Sequence, residues 1–311
     1  MRCFAARRRH ALTVLGTAAT LGALALVLAG RWGQFAHAAA GASWWLLAAA
    51  VALHLACLLT RSEAWSICVG AAGAVVDRRR VYGAASIGYV GNLINGELGF
   101  AMRILALRRA APEHVPKAVT LAATELPIII VEVTLATLTC FTLVGPLGLA
   151  WWTPLVAFAV MLGMTVLLAH LARRRARGWR RGLAVLGDGS ARARMAALVL
   201  FGILAQIARN WLMLRAVGIH ASVFEATAVL IAVSALSTLP VGPSAAAAAA
   251  VLILGAHGVA GVSAAGVLLT VTGAAGALAY AAWALADRRW IRRTNAPELV
   301  PRPSQAVVSS S

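Results

Sequence analysis

Acidic residues are what this sequence has least of. Only 10 of its 311 residues are Asp or Glu, against 28 Lys plus Arg, for a formal net charge of +18. Charged residues make up only 12 % of the chain, where a soluble domain carries about 25 %. With 61 % hydrophobic residues and a mean hydropathy of +0.83, this excludes a soluble globular domain and a disordered chain. Lysine is almost missing, Lys117 being the sole example. The matching excess of alanine points to GC-rich coding, so the preference for arginine carries no functional weight. Cysteine is scarce too: Cys3, Cys57, Cys68 and Cys140 form no C-x-x-C pair. Cys57 and Cys68 would lie about 16 Å apart on one helix, beyond disulfide reach. The four read as small apolar residues, and nothing in their spacing suggests a disulfide framework or a zinc site. There is no H-E-x-x-H, no paired His and no G-x-S-x-G. An intramembrane enzyme thus lacks its machinery, and no catalytic residue, metal or cofactor is expected. The basic residues flank long apolar runs, which reads as cytoplasmic membrane flanks and not as a nucleic-acid surface.

What is present is a series of apolar blocks, each measured against the roughly 20 residues needed to cross a bilayer. Ala11–Gly30 follows Arg2, Arg7, Arg8 and Arg9. It reads as a retained anchor, its length exceeding a usual signal core, although Ala36-His37-Ala38 resembles a cleavage site. Trp44–Val76 is long, is interrupted by Arg61 and Glu63, and is closed by Asp77-Arg78-Arg79-Arg80. Tyr82–Asn95 is short and breaks at Gly91-Asn92 and at Asn95-Gly96-Glu97, and an arginine-containing stretch then runs to Lys117. Ala118–Thr142 is a full span carrying Glu125, Pro127 and Glu132, and the loop after it holds Trp151 and Trp152 but no charge. Pro154–Leu171 and Met195–Val217 span again, the latter with Arg209 inside. Between them, residues 172–194 hold eight arginines against Asp188, a net of +7. Val223–Ala256 breaks at Pro240-Val241-Gly242-Pro243, and Gly261–Ala286 is the last span.

Taken as plain crossings, these blocks give eight spans and put the +7 loop outside, against the positive-inside rule. If Tyr82–Lys117 instead enters and leaves on the cytoplasmic side, the +7 loop falls inside and the Trp151-Trp152 loop outside. A cytoplasmic C-terminal tail then requires 223–256 to dip in and out from the outer side. The fold class expected is an all-α polytopic membrane protein. It has about six full spans plus two re-entrant broken hairpins, or eight plain spans. In the first case residues 44–142 and 195–286 form an inverted repeat, an architecture of secondary transporters. The expected organisation is a basic cytoplasmic N-terminus (1–10), an integral membrane domain (11–290) and a disordered cytoplasmic tail (291–311).

Charges inside apolar segments cost about 2.5–3.5 kcal/mol each at the bilayer centre, so they pair or line a wet path. Glu125 and Glu132 are seven residues apart and share a helix face, with Pro127 between them predicting a kink. They should face the bundle interior, where Arg103 or Arg209 could neutralise them. A static buried ion pair and an anion or proton site are both open readings. Arg61 and Glu63 point to different faces, and their heads can snorkel to the cytoplasmic interface. Glu225 reads as a helix N-terminal charge, and His54 and His257 as structural or interfacial. The first break leaves helix-end N–H groups suited to a phosphate, the competing reading being an ordinary interfacial loop. The run Ala245–Ala250 after the second break offers a face for close helix packing.

The segment Gly91-Asn92-Leu93-Ile94-Asn95-Gly96-Glu97-Leu98, the arginine after it, the basic loop and the span opening near Glu125 carry a resemblance. The chain resembles the transmembrane region of lysylphosphatidylglycerol synthases and the stand-alone flippase-like membrane proteins related to it. Leu239-Pro240 and Gly242-Pro243 match the family's second break, and the resemblance covers roughly residues 10–290. There are three departures. Phe100 stands where the family tends to have Arg, Ile129 where a carboxylate is usual, and Ser244 with alanines where a glycine-rich segment and Glu follow. No aminoacyl-transferring domain follows residue 290, so only a lipid-translocating role is carried over from the family.

The expectation is therefore a non-enzymatic translocase of a lipid or lipid-linked headgroup in the cytoplasmic (inner) membrane, with both termini cytoplasmic. Its partners would be membrane lipids, anionic or phosphate-bearing, with a homo-oligomer or an envelope-synthesis partner as further associations. The substrate-pathway candidates are Asn92, Asn95, Glu97, Arg103, Glu125, Glu132 and Arg209. The alternative is a non-transporting membrane partner of an envelope-lipid synthesis complex.

Overall fold

The computed structural model describes residues 32–94, 96–145, scattered positions between 150 and 166, then 179–237 and 259–294. The expected span Ala11–Gly30, most of Pro154–Leu171, Asn95, the break at Pro240–Pro243, the run Ala245–Ala250, His257 and the tail after 294 lie outside the described residues. The elements are α1 (Trp32–Ala40), α2 (Trp44–Ala71), α3 (Arg78–Asn92), α4 (Gly96–Ala110), α5 (Ala118–Ala123) and α6 (Leu126–Leu143). They continue with α7 (Trp179–Gly182), a 3-10 turn (Ala184–Gly187), α8 (Gly189–Ala216), α9 (Val223–Ser237) and α10 (Val259–Thr294). No strand occurs among the described residues.

Among the described residues, four stretches are long and apolar enough to cross a membrane: Trp44–Ala71, Ala118–Leu143, Gly189–Ala216 and Gly261–Asp287. At 1.5 Å per residue the 28-residue α2 and α8 are about 42 Å long, more than the roughly 30 Å of bilayer hydrocarbon. These two helices pack antiparallel along much of their length. Gly202 of α8 faces Thr60 and Cys57 of α2, while Arg209, further along α8, faces His54, further back on α2. Both helices stop at glycines with positive φ, Gly73 (91°) and Gly218 (80°). There the following N–H groups fold back, Ala74 onto the carbonyl of Val69 and Ile219 onto that of Leu214, closing the helix end as such caps do. The last helix runs through Thr294, past residue 290 where a tail was expected to begin.

The short block 78–110 is a helical hairpin. Each arm has 15 residues, about 22 Å, too short to span. Its base is pinned at one end, where the Arg80 guanidinium donates to the Ala110 carbonyl. The arms touch backbone to backbone because glycines face each other. A Cβ on Gly91 would sit 2.8 Å from the Gly99 Cα, and one on Gly88 would sit 2.7 Å from the Arg103 Cβ. A Cβ on Gly99 would overlap the Asn92 side chain and the Gly88 carbonyl.

Arg79, Arg80 and Arg181 gather at one end of the molecule. The Val75 N–H donates to the His114 carbonyl just past the C-terminus of α2. Arg79 lies 3.8 Å from Asp287 near the end of α10. Arg181 shares a surface cavity of about 530 Å³ with Ala71, Gly73 and His114. The hairpin therefore starts and finishes at the end from which α8 departs and to which α10 returns. The main core fills the middle. Trp65, Cys68, Val69, Leu107, Leu121, Ile128, Met195 and Tyr280 form one buried cluster drawn from α2, α4, α5, α6, α8 and α10.

Candidate functional site

Four of the charges inside apolar segments meet in one network. Arg103 of α4 pairs with Glu125, and Arg61 of α2 pairs with Glu132 and lies 3.8 Å from Glu125. Arg103 and Glu125 are each only 6 % exposed, where an unpaired charge would be costly. Glu125 thus bridges two arginines, giving two positive and two negative groups.

Local structure explains the placement. The expected kink at Pro127 is a short interruption, across which Thr124 and Glu125 keep right-handed helical backbone angles. Helix α5 ends at Ala123, and α6 restarts at Leu126 with Pro127 in its first turn, where proline's missing N–H costs nothing. Glu125 stands at this break without capping the new helix, so its carboxylate is free for the arginines. Trp65 organises the other side. Its indole N–H donates to the Thr124 hydroxyl at 3.1 Å, and the Arg103 guanidinium carbon lies 4.3 Å from its ring centroid. Arg103 is therefore held between a carboxylate and an aromatic face. Its Nε has no partner.

The structure separates Arg209 from this network. Among the sequence candidates for neutralising the carboxylates, Arg103 does so and Arg209 does not. Arg61, read from sequence as able to snorkel to the interface, reaches inward to Glu132 instead. Glu63 fits the interfacial reading, bonding Arg78 at 3.2 Å and accepting from the Tyr82 hydroxyl at the basic end. Arg209 is 3 % exposed between α2, α8 and α10. It approaches the His54 Nδ1 at 3.2 Å, donates to the Thr272 hydroxyl at 3.3 Å and also bonds the Leu269 carbonyl. His54, expected to be structural or interfacial, thus stands beside a buried charge.

Asn92 and Glu97 lie exposed at the hairpin tip, away from the network. Asn92 packs its side chain at Gly99, and Glu97 occupies the first turn of α4. Asn95 lies outside the described residues. Glu225 is the N-terminal charge expected: its carboxylate accepts from the Ser222 N–H at 2.7 Å, and the Ser222 hydroxyl accepts from the Glu225 N–H at 3.2 Å. This reciprocal pair is a capping box. Sequence reading missed a hydroxyl trio joining α2, α3 and α10. The Tyr280 hydroxyl donates to the Ser62 Oγ at 2.9 Å, and the Tyr89 hydroxyl lies 3.2 Å from the same atom. Two tyrosines and one serine in separate apolar segments carry no local spacing signal. Among the described residues, no cluster of His, Cys, Asp and Glu could hold a metal ion.

The family model for the lysylphosphatidylglycerol synthase TM region matches residues 13–286. The chain belongs to this family. No curated protein and no solved structure matches it. Membership makes the chain a multi-pass membrane domain from a family of lipid metabolism or transport, in keeping with its four described apolar spans.

Proposed function

We propose that the protein moves a lipid or lipid-linked headgroup across the cytoplasmic membrane and performs no aminoacyl transfer. The observation that carries this reading is a charge network in which the buried pair Arg103–Glu125 adjoins the half-buried pair Arg61–Glu132, built on a hairpin too short to span and on an interrupted helix. Buried ions in a membrane domain mark substrate or proton pathways. Irregular backbone at that depth is tolerated where it is covered by protein or lines a cavity. The common end of the hairpin's arms supports a re-entrant element opening to the cytoplasm, with six full spans in all and both termini cytoplasmic. In this mechanism an incoming phosphate competes with Glu125 for Arg103, and Glu125 keeps Arg61 as its counter-ion. The network is neutral before the anion arrives, so a proton on either carboxylate restores neutrality afterwards.

The test is reconstitution into vesicles with fluorescent phospholipids and a membrane-impermeant quencher. Faster transbilayer movement with the protein, lost in Glu125→Gln, is the expected result. Movement no faster than in empty vesicles would sink the proposal. A second reading has its own supporting observation: each of the four charges already has a partner inside the chain. That closure suits a static membrane partner of an envelope-lipid synthesis complex. This reading predicts that Glu125→Gln lowers stability and that transbilayer movement stays at the empty-vesicle rate with wild type and variant alike.

A further inference from the structure

The geometry points to a second buried site, an anion seat at Arg209 that receives the phosphate of a lipid headgroup. This deepens the translocase reading and rests on it only for the claim that the bound lipid moves. A buried guanidinium needs a counter-charge, and this chain supplies none. All its acidic residues except Glu298 are described, and none of them forms an ion pair with Arg209. Glu298 cannot reach it. Thr272, which touches Arg209, lies 22 residues before the end of α10 at Thr294, about 33 Å of helix. The four residues from there to Glu298 span at most about 14 Å.

What surrounds the guanidinium is neutral and leaves a donor unused. The carbonyl of Leu269, the hydroxyl of Thr272 and the imidazole of His54 take the terminal nitrogens. The Nε is buried with no partner. Glycines let α10 lie directly against both side chains: a Cβ on Gly273 would sit 3.0 Å from the Arg209 Nη2, and one on Gly276 2.7 Å from the His54 ring. Arg209 lies seven residues before the end of α8, about 10 Å below it. His54 lies ten residues inside the same end of the molecule from Trp44. That depth is near the outer edge of the hydrocarbon layer, within reach of a lipid phosphate drawn slightly inward. Arg61 lies seven residues further along α2 from His54, about 10 Å deeper. Arg103 is already neutralised by Glu125, so of the two buried arginines among the described residues, Arg209 is the one whose charge is left for a ligand.

The experiment measures binding to the full chain in a phosphate-free non-ionic detergent. Three probes are compared: dioctanoylphosphatidylglycerol, dioctanoylglycerol and inorganic phosphate. The expected result is that the phospholipid binds best and that Arg209→Gln weakens it roughly tenfold to a hundredfold, the loss of a charge-assisted contact. Gly273→Ala, which keeps the arginine and crowds it, weakens binding in the same direction and carries the test should Arg209→Gln not fold. Equal affinity in wild type and variants, or dioctanoylglycerol binding as tightly as the phospholipid, would overturn the site. Inorganic phosphate binding as tightly as the phospholipid would overturn the lipid assignment. No binding of any probe would also overturn it, leaving a carboxylate of another chain as counter-ion. Binding without transport in the vesicle assay would sink the translocase reading and leave the seat standing.

Discussion

Arg103 shows how one side chain can be satisfied by neighbours of different kinds. It has a carboxylate at one edge and the Trp65 face beneath it. Arg103→Met leaves Glu125 buried with only the more distant Arg61, and is expected to lower stability by about 3–5 kcal/mol. The double variant Arg103→Met/Glu125→Met removes both charges and should recover most of that loss, because an apolar pair of similar volume packs without a desolvation cost. Thermal unfolding in detergent of the two singles and the double, read as a cycle, checks this. Trp65→Phe removes the indole hydrogen bond to Thr124 and weakens the ring's hold on Arg103, and should cost about 1–2 kcal/mol in the same measurement. Much at this scale was legible. A charge in an apolar run announces itself, and Arg103, Glu125, Glu132 and Arg209 all stand out by that rule. Pairing was not legible, because it depends on which helix faces meet. For that reason Arg61, and not Arg209, joins Arg103 in pairing with the two carboxylates.

At the scale of the element, the hairpin depends on the absence of side chains. Gly99→Ala would drive a methyl group into Asn92 and the Gly88 backbone. Overpacking of this kind typically costs about 1–3 kcal/mol. The variant should melt earlier and lose a disulfide engineered between the hairpin arms. The sequence marked this block as short and broken, and the break at 92–96 is where α3 gives way to α4. The glycines that let the arms touch are visible only once the register is known. Helix α8 begins with Asp188, whose carboxylate accepts from the N–H groups of Ser190 and Ala191. Those bonds hold its pKa below the ordinary carboxylate value. A depressed pKa stabilises the fold above the unfolded value of about 3.9 and loses that contribution as pH falls through the folded one. Acidification below about pH 4 should loosen the first turn of α8, seen as faster amide exchange at Ser190 and Ala191. Asp188→Asn keeps an acceptor without the titration and should flatten that pH response.

For the whole molecule, the charge pattern was the best guide. Assigning the +7 loop and the hairpin base to one side was an argument from the positive-inside rule alone, and the structure gathers Arg79, Arg80, Arg181 and Asp287 at one end. The second hairpin had no such support, since its proline break lies outside the described residues. Cysteines placed at Arg80 and Arg108 should both react with an impermeant thiol reagent from the cytoplasmic face of inverted vesicles. A cysteine at Ile94, on the hairpin tip, should resist the reagent added from that same face. Labelling of Arg80 and Arg108 from opposite faces would rule out the re-entrant arrangement.

The hydroxyl trio has a mechanical consequence. Ser62, Tyr89 and Tyr280 tie α2, α3 and α10 together through buried bonds, and α4 is clasped to α3 through glycine. These four helices form a chassis, and both network arginines ride on it. Glu125 and Glu132 belong to the broken helix beside it. Any hinge that slides the broken helix against the chassis would draw every carboxylate of the network away from every arginine at once, so a single seam in the molecule would act as an electrical contact breaker.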